Sequence, residues 1–162
     1  MARKLLVILI IALNIGCDQI AKRMVRTHIE ANESIHFIGD HFTITRVENA
    51  GAFLSIGDHL PVNLRNFFLA VLPMIALMFG LAYVLIKRNL TLSSALGISC
   101  ILGGGLGNIY DRIAHGAVTD FFHIDFGVLQ TGIFNMADLS ITAGALILLI
   151  QSLKRMTSGN QP

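Results

Sequence analysis

Charge is what this sequence has least of for its length. Asp, Glu, Lys and Arg make up 14% of its 162 residues, where soluble domains carry roughly 25%. That scarcity excludes an ordinary water-soluble domain. No arginine-rich tract occurs and the formal net charge is only +2, so nucleic acid is excluded as a partner. There are two cysteines, Cys17 and Cys100. Both sit in apolar segments, with no spacing for a disulfide framework or a metal, and they read as buried thiols used in packing. His115 and His123 are single histidines outside any metal-ligand spacing and read as surface residues. The glycine run of Gly103, Gly104, Gly105 and Gly107 lacks the Gly-Lys-Ser/Thr ending of a phosphate-binding loop. No metal and no cofactor is expected.

What the chain has instead is apolar length, with 54% hydrophobic residues. Four stretches, about 5–25, 67–86, 92–110 and 133–153, each approach the ~20 residues a helix needs to cross hydrocarbon. Pro73 lacks a backbone donor and is expected to kink the second. Small residues in the third, Gly97 and Gly103 among them, permit close helix packing. The outer segments are then 26–66 and 111–132. The first is too long for a bare loop, and its 43–47 stretch alternates like a short strand. The predicted fold is an all-α integral membrane protein: four transmembrane helices, a small extracytoplasmic β-rich subdomain and a second outer loop, in one domain over 1–162. Residues 1–17 look like an export signal, but three further spans follow and the segment is expected to be retained. The tail from Met156 is expected to be disordered.

Charge sets the orientation. Arg3, Lys4, Lys87, Arg88, Lys154 and Arg155 fall at the two termini and the middle connection, with no acid beside them. The other six bases and all ten acids lie elsewhere, a net charge of −4. Lys and Arg in short connections mark the cytoplasmic side. Both termini are therefore expected in the cytoplasm and the long connections outside.

Polar residues cluster at the outward ends. Asn14, Asp18 and Lys22 are spaced by four and share a helix face. Asp18 and Lys22 suit a local pair, and Lys22, Arg23 and Arg26 suit snorkelling to headgroups. Asn108, Asp111 and Arg112 share a second face, where Arg112 can neutralise Asp111, Asp18 or a substrate carbonyl. Asn49 and Gly51 follow the predicted strand and also suit a turn. Segment 103–138 holds Asp120, Asp125, Asn135 and Asp138 between two apolar spans. Ionisable groups in or beside hydrocarbon are costly and mark function by default. On residues alone, an enzyme, a small transporter and a structural membrane protein stay open.

The stretch Gly104-Gly105-Leu106-Gly107-Asn108, with Asp111-Arg112, Gly116, Val118, Asp120-Phe121, Phe134-Asn135 and Ala137-Asp138, resembles the core of the lipoprotein signal peptidases (signal peptidase II). Asn14, Cys17-Asp18 and Lys22 resemble that family's first motif, in which the aspartate is structural and lines the pocket. Asn49 and Gly51 resemble its second, with Phe53 one place earlier than the family's aromatic and Ser55 and Gly57 after it. The resemblance implies an aspartyl endopeptidase of the bacterial inner membrane, with Asp120 and Asp138 as the catalytic pair. Asn14, Asp18, Lys22, Asn49, Gly51, Asn108, Asp111, Arg112 and Asn135 would support the site or bind substrate. Asp125, the rival carboxylate, has no such match. The implied substrate is a diacylglyceryl-modified prolipoprotein, cut just before its lipidated cysteine. Membrane phospholipid is the other expected partner, and the enzyme is expected to act as a monomer. A helical hairpin with a re-entrant loop is the expected way for Asp120, on a loop, to meet Asp138, on a helix.

Overall fold

The computed structural model describes residues 2–31, 33–39, 41–52, 57 and 59–158. Phe53, Ser55, Asp58 and the tail from Gly159 lie outside the described residues. Four helices dominate: α1 (Ala2–His28), α2 (Val62–Ile86), α3 (Leu92–His115) and α4 (Met136–Ser158). All four are long and apolar enough to cross a membrane. Large apolar side chains such as Leu9, Phe79, Ile86 and Leu149 point outward, a surface that suits hydrocarbon and not water.

The helices overrun the predicted spans. α3 continues to His115, so Asp111 and Arg112 ride on its last turns and not in an outer loop. Gly116, at φ 78°, ends it in the left-handed conformation that favours glycine. α4 starts at Met136 because Phe134 is still bonded to the sheet, and it runs through Met156 to Ser158, where a disordered tail was expected. Pro73 leaves its mark one turn upstream. Residues Phe67–Val71 of α2 form a π turn in which the Leu72 N–H bonds to the Phe67 carbonyl. Proline offers no N–H to the carbonyl four residues back and crowds it, and the wider turn relieves that conflict.

α3 is the central helix: half of its apolar window is buried, against 11–17% for the other three. Val7 and Ile11 of α1, Val84 of α2, and Ala95 and Leu102 of α3 form the main core. Glycine makes the closest approaches possible. A Cβ at Gly104 would run into the Ala137 carbonyl of α4, and one at Gly107 would lie 2.7 Å from the Asp18 carboxylate of α1. Cys17 is exposed and Cys100 half-buried, both free. The exposure of Cys17 is contrary to its expected burial.

The sheet sits beside the other end of α1. Its order is β1 (Ser34–Phe37), β2 (Phe42–Asn49), β3 (Val118–Phe126), β4 (Leu129–Gln130), all antiparallel. β1 was not legible because all four of its side chains are exposed and show no in–out alternation. The second outer segment supplies β3 and β4, so it is half of the sheet and not a re-entrant loop. β2 carries a bulge between Ile44 and Val47, after which Val47 pairs with Asp120 and Asn49 with Val118. Val25 and Ile29 at the end of α1 pack against Phe121, with Met136 alongside. That second core fastens β3 to the start of α4.

Candidate active site

The site forms where β3 meets the first turn of α4. Asn135 caps α4, its side-chain oxygen accepting from the Asp138 N–H at 3.0 Å. Asp138 returns the bond, one carboxylate oxygen accepting from the Asn135 N–H at 3.1 Å. This reciprocal capping box fixes Asp138 in the first turn. The Asn135 amide then reaches the other aspartate, donating to Asp120 at 2.6 Å. It also donates to the Asn108 side-chain oxygen at 3.2 Å, and the Asn108 amide donates to the free oxygen of Asp138 at 2.9 Å. One wholly buried asparagine thus ties both carboxylates together.

The second oxygen of Asp120 accepts from Asn49 at 2.9 Å. Asn49 is held in a turn of its own, its side-chain oxygen accepting from the Gly51 N–H at 3.0 Å and its amide donating to the Ala52 carbonyl at 3.2 Å. Arg112 donates to the Gly51 carbonyl at 2.8 Å and to the Asn108 carbonyl at 3.4 Å. Its charge acts on both Asp120 and Asp138. Asp120 is 5% exposed. Burial pushes its carboxyl up to about 6, the Asn49 and Asn135 amides oppose that rise, and the neighbouring Asp138 charge adds to it.

Beneath the pair lies a buried ion network. Lys22 contacts Asp18 and Asp111 at 2.8 Å each and donates to the Asn108 oxygen at 2.9 Å. All three charged residues are fully buried. The other oxygen of Asp18 accepts from the Ala137 N–H at 2.9 Å, so Asp18 satisfies an otherwise orphan donor in the first turn of α4. Arg26 pairs with Asp111 at 2.8 Å and donates to Thr119 at 2.7 Å, and Thr119 passes a hydrogen bond to Glu48 at 2.9 Å. Gln19 bonds both Asp18 and Asp111.

Most of the predicted site residues therefore meet, with corrections. Arg112 forms no ion pair with Asp111 or Asp18, which pair with Lys22 and Arg26, although its charge also acts on Asp111. Lys22 is not a snorkelling residue, and of its basic neighbours only Arg23 is exposed. Asn14 lies apart from the carboxylates, bonded to the Ile10 carbonyl and to Ser140 of α4. Asp125 caps the Gly127 N–H in the β3–β4 turn at 2.6 Å. His123 is half-buried and not a surface residue. Gln19, Arg26, Thr119 and Glu48 were missed, although Arg26 continues the four-residue spacing of Asp18 and Lys22. Among the described residues, no three His, Cys, Asp or Glu side chains are grouped as metal ligands.

Comparison with known proteins bears on this constellation. The model of the signal peptidase (SPase) II family matches residues 10–154. The chain belongs to the signal peptidase II family. It is similar to the lipoprotein signal peptidase of Streptococcus pneumoniae, 33% identical over 160 residues, covering 99% of this chain and 100% of the relative. The Clostridioides difficile lipoprotein signal peptidase is 35% identical over 146 residues, 90% of this chain and 93% of that protein. A bacterial membrane enzyme structure solved by the in meso method superposes with a TM-score of 0.83 at 29% identity, over 96% of this chain and 91% of that one. As a signal peptidase II family member with four apolar helices, the chain is a multi-pass membrane protease.

Proposed function

We propose that this protein is an aspartyl endopeptidase that removes the signal peptide from diacylglyceryl-modified prolipoproteins, cutting just before the lipidated cysteine. The observation that carries this reading is Asn135, which caps Asp138 and donates to Asp120 from one buried side chain. Two aspartates so joined share a site, and like charges held close split their titration. One ionised carboxylate takes a proton from water. The protonated partner hydrogen-bonds the scissile carbonyl and later gives its proton to the departing amine. Arg112, bonded to the Gly51 carbonyl, supports the turn that aims Asn49 at Asp120.

The lipidated cysteine of the substrate is anchored at the bilayer surface, and a site at the helix ends meets it there. Both termini lie in the cytoplasm and the site faces outward, on the strength of the charge separation between the connections. A transporter would need polar groups spread through the bilayer. Here the buried charges Asp18, Lys22, Asp111 and Asp120 gather at one end, and the opposite halves of the helices are nearly bare.

The test is cleavage of a diacylglyceryl-modified precursor by purified variants. Asp120→Asn and Asp138→Asn are each expected to lose at least ~10²-fold in rate, the usual contribution of a placed proton-transfer group, while remaining folded in the membrane. Their combination should lose little more, since the pair works as one unit. Glu30→Gln, an exposed carboxylate after α1, should cleave normally, and a chelator should change nothing. Normal turnover by either Asp120 or Asp138 variant sinks the aspartyl mechanism.

A further inference from the structure

We infer that the polar cleft leading away from Asp120 along the sheet holds the polypeptide that follows the cleaved bond, and that Thr43, Thr45 and His123 select its side chains. The inference rests on the proteolytic reading above and extends it to residues outside the family's motifs.

Two adjoining cavities make up the cleft. The first, about 360 Å³, is lined by Asp120, Asn49, Val47, His123 and Ile133. The second, about 500 Å³, shares His123 and Ile133 and continues to Ser34, His36, Thr43 and Thr45. Strand register explains this row. His36 stands opposite Thr43, Thr43 opposite His123, and Ser34 opposite Thr45, and paired residues project on the same face of a sheet. The Thr43 hydroxyl bonds the His36 ring at 3.2 Å, which fixes both. The Nδ1 atom of His123 is buried and has no hydrogen-bond partner among the described residues. Buried polar atoms are rarely left in that state, and a ligand or water in the cleft would relieve it.

The chemistry of the substrate decides what fits. A cleaved prolipoprotein leaves the site in three directions. Its signal peptide and acyl chains are apolar and belong in the bilayer. Its mature chain is polar and must run away from the helices. A cavity of about 570 Å³ has the polar Gln19, Arg23 and His115 in its lining but is not lined by Asp120 or Asn49. Two others are mainly apolar: one of about 460 Å³ lined by Ala70, Val71, Met74 and Ile75 beside Arg112, and one of about 280 Å³ lined by Phe37, Ile44, Phe122 and Phe134, with Thr43 and His123 at its edge. Neither suits a hydrated peptide. Ser34, Thr43, Thr45, His123 and Asp125 offer polar atoms to the cleft between the apolar Val47 and Ile133, so it suits an extended chain with short side chains. A bulky apolar side chain would cover His123 and the threonine hydroxyls without bonding them.

Steady-state kinetics on purified enzyme test this with two lipidated precursors, one ending immediately after the acylated cysteine and one running several residues further. The longer precursor is expected to show a KM about tenfold lower with kcat little changed, the worth of one or two hydrogen bonds. In Thr43→Val and His123→Leu variants that ratio should fall toward one. Purely structural damage would slow both precursors alike and leave the ratio intact. With the wild-type enzyme alone, replacing serine by leucine just after the cysteine should raise KM, so the idea stays testable if the variants fold poorly. Equal KM values for the two precursors in the wild type, or a ratio that survives both substitutions, would overturn the cleft assignment. Asp120→Asn decides the proteolytic reading separately, because it should abolish cleavage of both precursors.

Discussion

At the residue scale, the site is built from amides as much as from acids. Asn49, Asn108 and Asn135 supply the donors that hold Asp120 and Asp138. An amide donor orients a carboxylate without adding a full charge that would force it to stay ionised, so the proposed pair can keep the one proton that its mechanism needs. The Asp120 carboxyl is raised, chiefly by burial, to about 6. A raised carboxylate keeps its proton to higher pH and loses it as pH rises through that value. With the pair needing one proton, log kcat/KM is expected to decline above about pH 6 with a slope near −1. A pH–rate series with a lipidated precursor, corrected for precursor solubility, checks this. A flat profile across that region would mean that Asp120 does not titrate with the reaction.

At the element scale, α1 and α3 hold the first turn of α4 in place through buried charge. Lys22 of α1 faces Asp18 and Asp111, and Asp18 in turn bonds the Ala137 N–H of α4. A buried pair adds little net stability over an apolar substitute, but removing one partner is costly. Lys22→Met leaves buried Asp18 without a cation and Asp111 with Arg26 alone, and is expected to destabilise by about 3–5 kcal/mol. Combining it with Asp18→Asn and Asp111→Asn should recover much of that loss. Thermal unfolding of the detergent-solubilised protein measures both. If Lys22→Met melts at the wild-type temperature, the network is decorative. Gly104 and Gly107 belong to the same arrangement, because side chains there would collide with the Ala137 carbonyl and the Asp18 carboxylate.

At the scale of the whole molecule, charge distribution and catalytic geometry point to the same end. Six basic residues without an acid occupy the termini and the α2–α3 connection, while the sheet and the aspartates occupy the opposite end. Short-loop Lys and Arg stay cytoplasmic. Accessibility tags at either terminus are expected to react only from the cytoplasm, and tags near His36 and His123 only from outside. A terminus labelled from outside would reverse the orientation and put the site on the wrong side for a secreted precursor.

Apolar length and charge placement by themselves determined the four helices and the clustering of polar residues at one set of helix ends, because crossing hydrocarbon demands long unbroken apolar runs. The motif spacing around Asn108, Asp120 and Asp138 likewise made the family resemblance and the candidate pair legible. Local spacing also paired Asp18 with Lys22, one helical turn apart. Tertiary structure decided what each charge does. Arg112 stands beside Asp111 in sequence yet bonds Gly51, because adjacent residues on a helix point about 100° apart and only the packing of α1 against α3 brings Lys22 and Arg26 to Asp111. The strand carrying Asp120 was equally hidden. Its partner β2 lies 71 residues away when Asn49 meets Asp120, and β1 is exposed on every side chain. Pairing across such a distance leaves no local period to read. Only the bulge in β2 and the second core around Phe121 fix which residue of β3 faces Asn135.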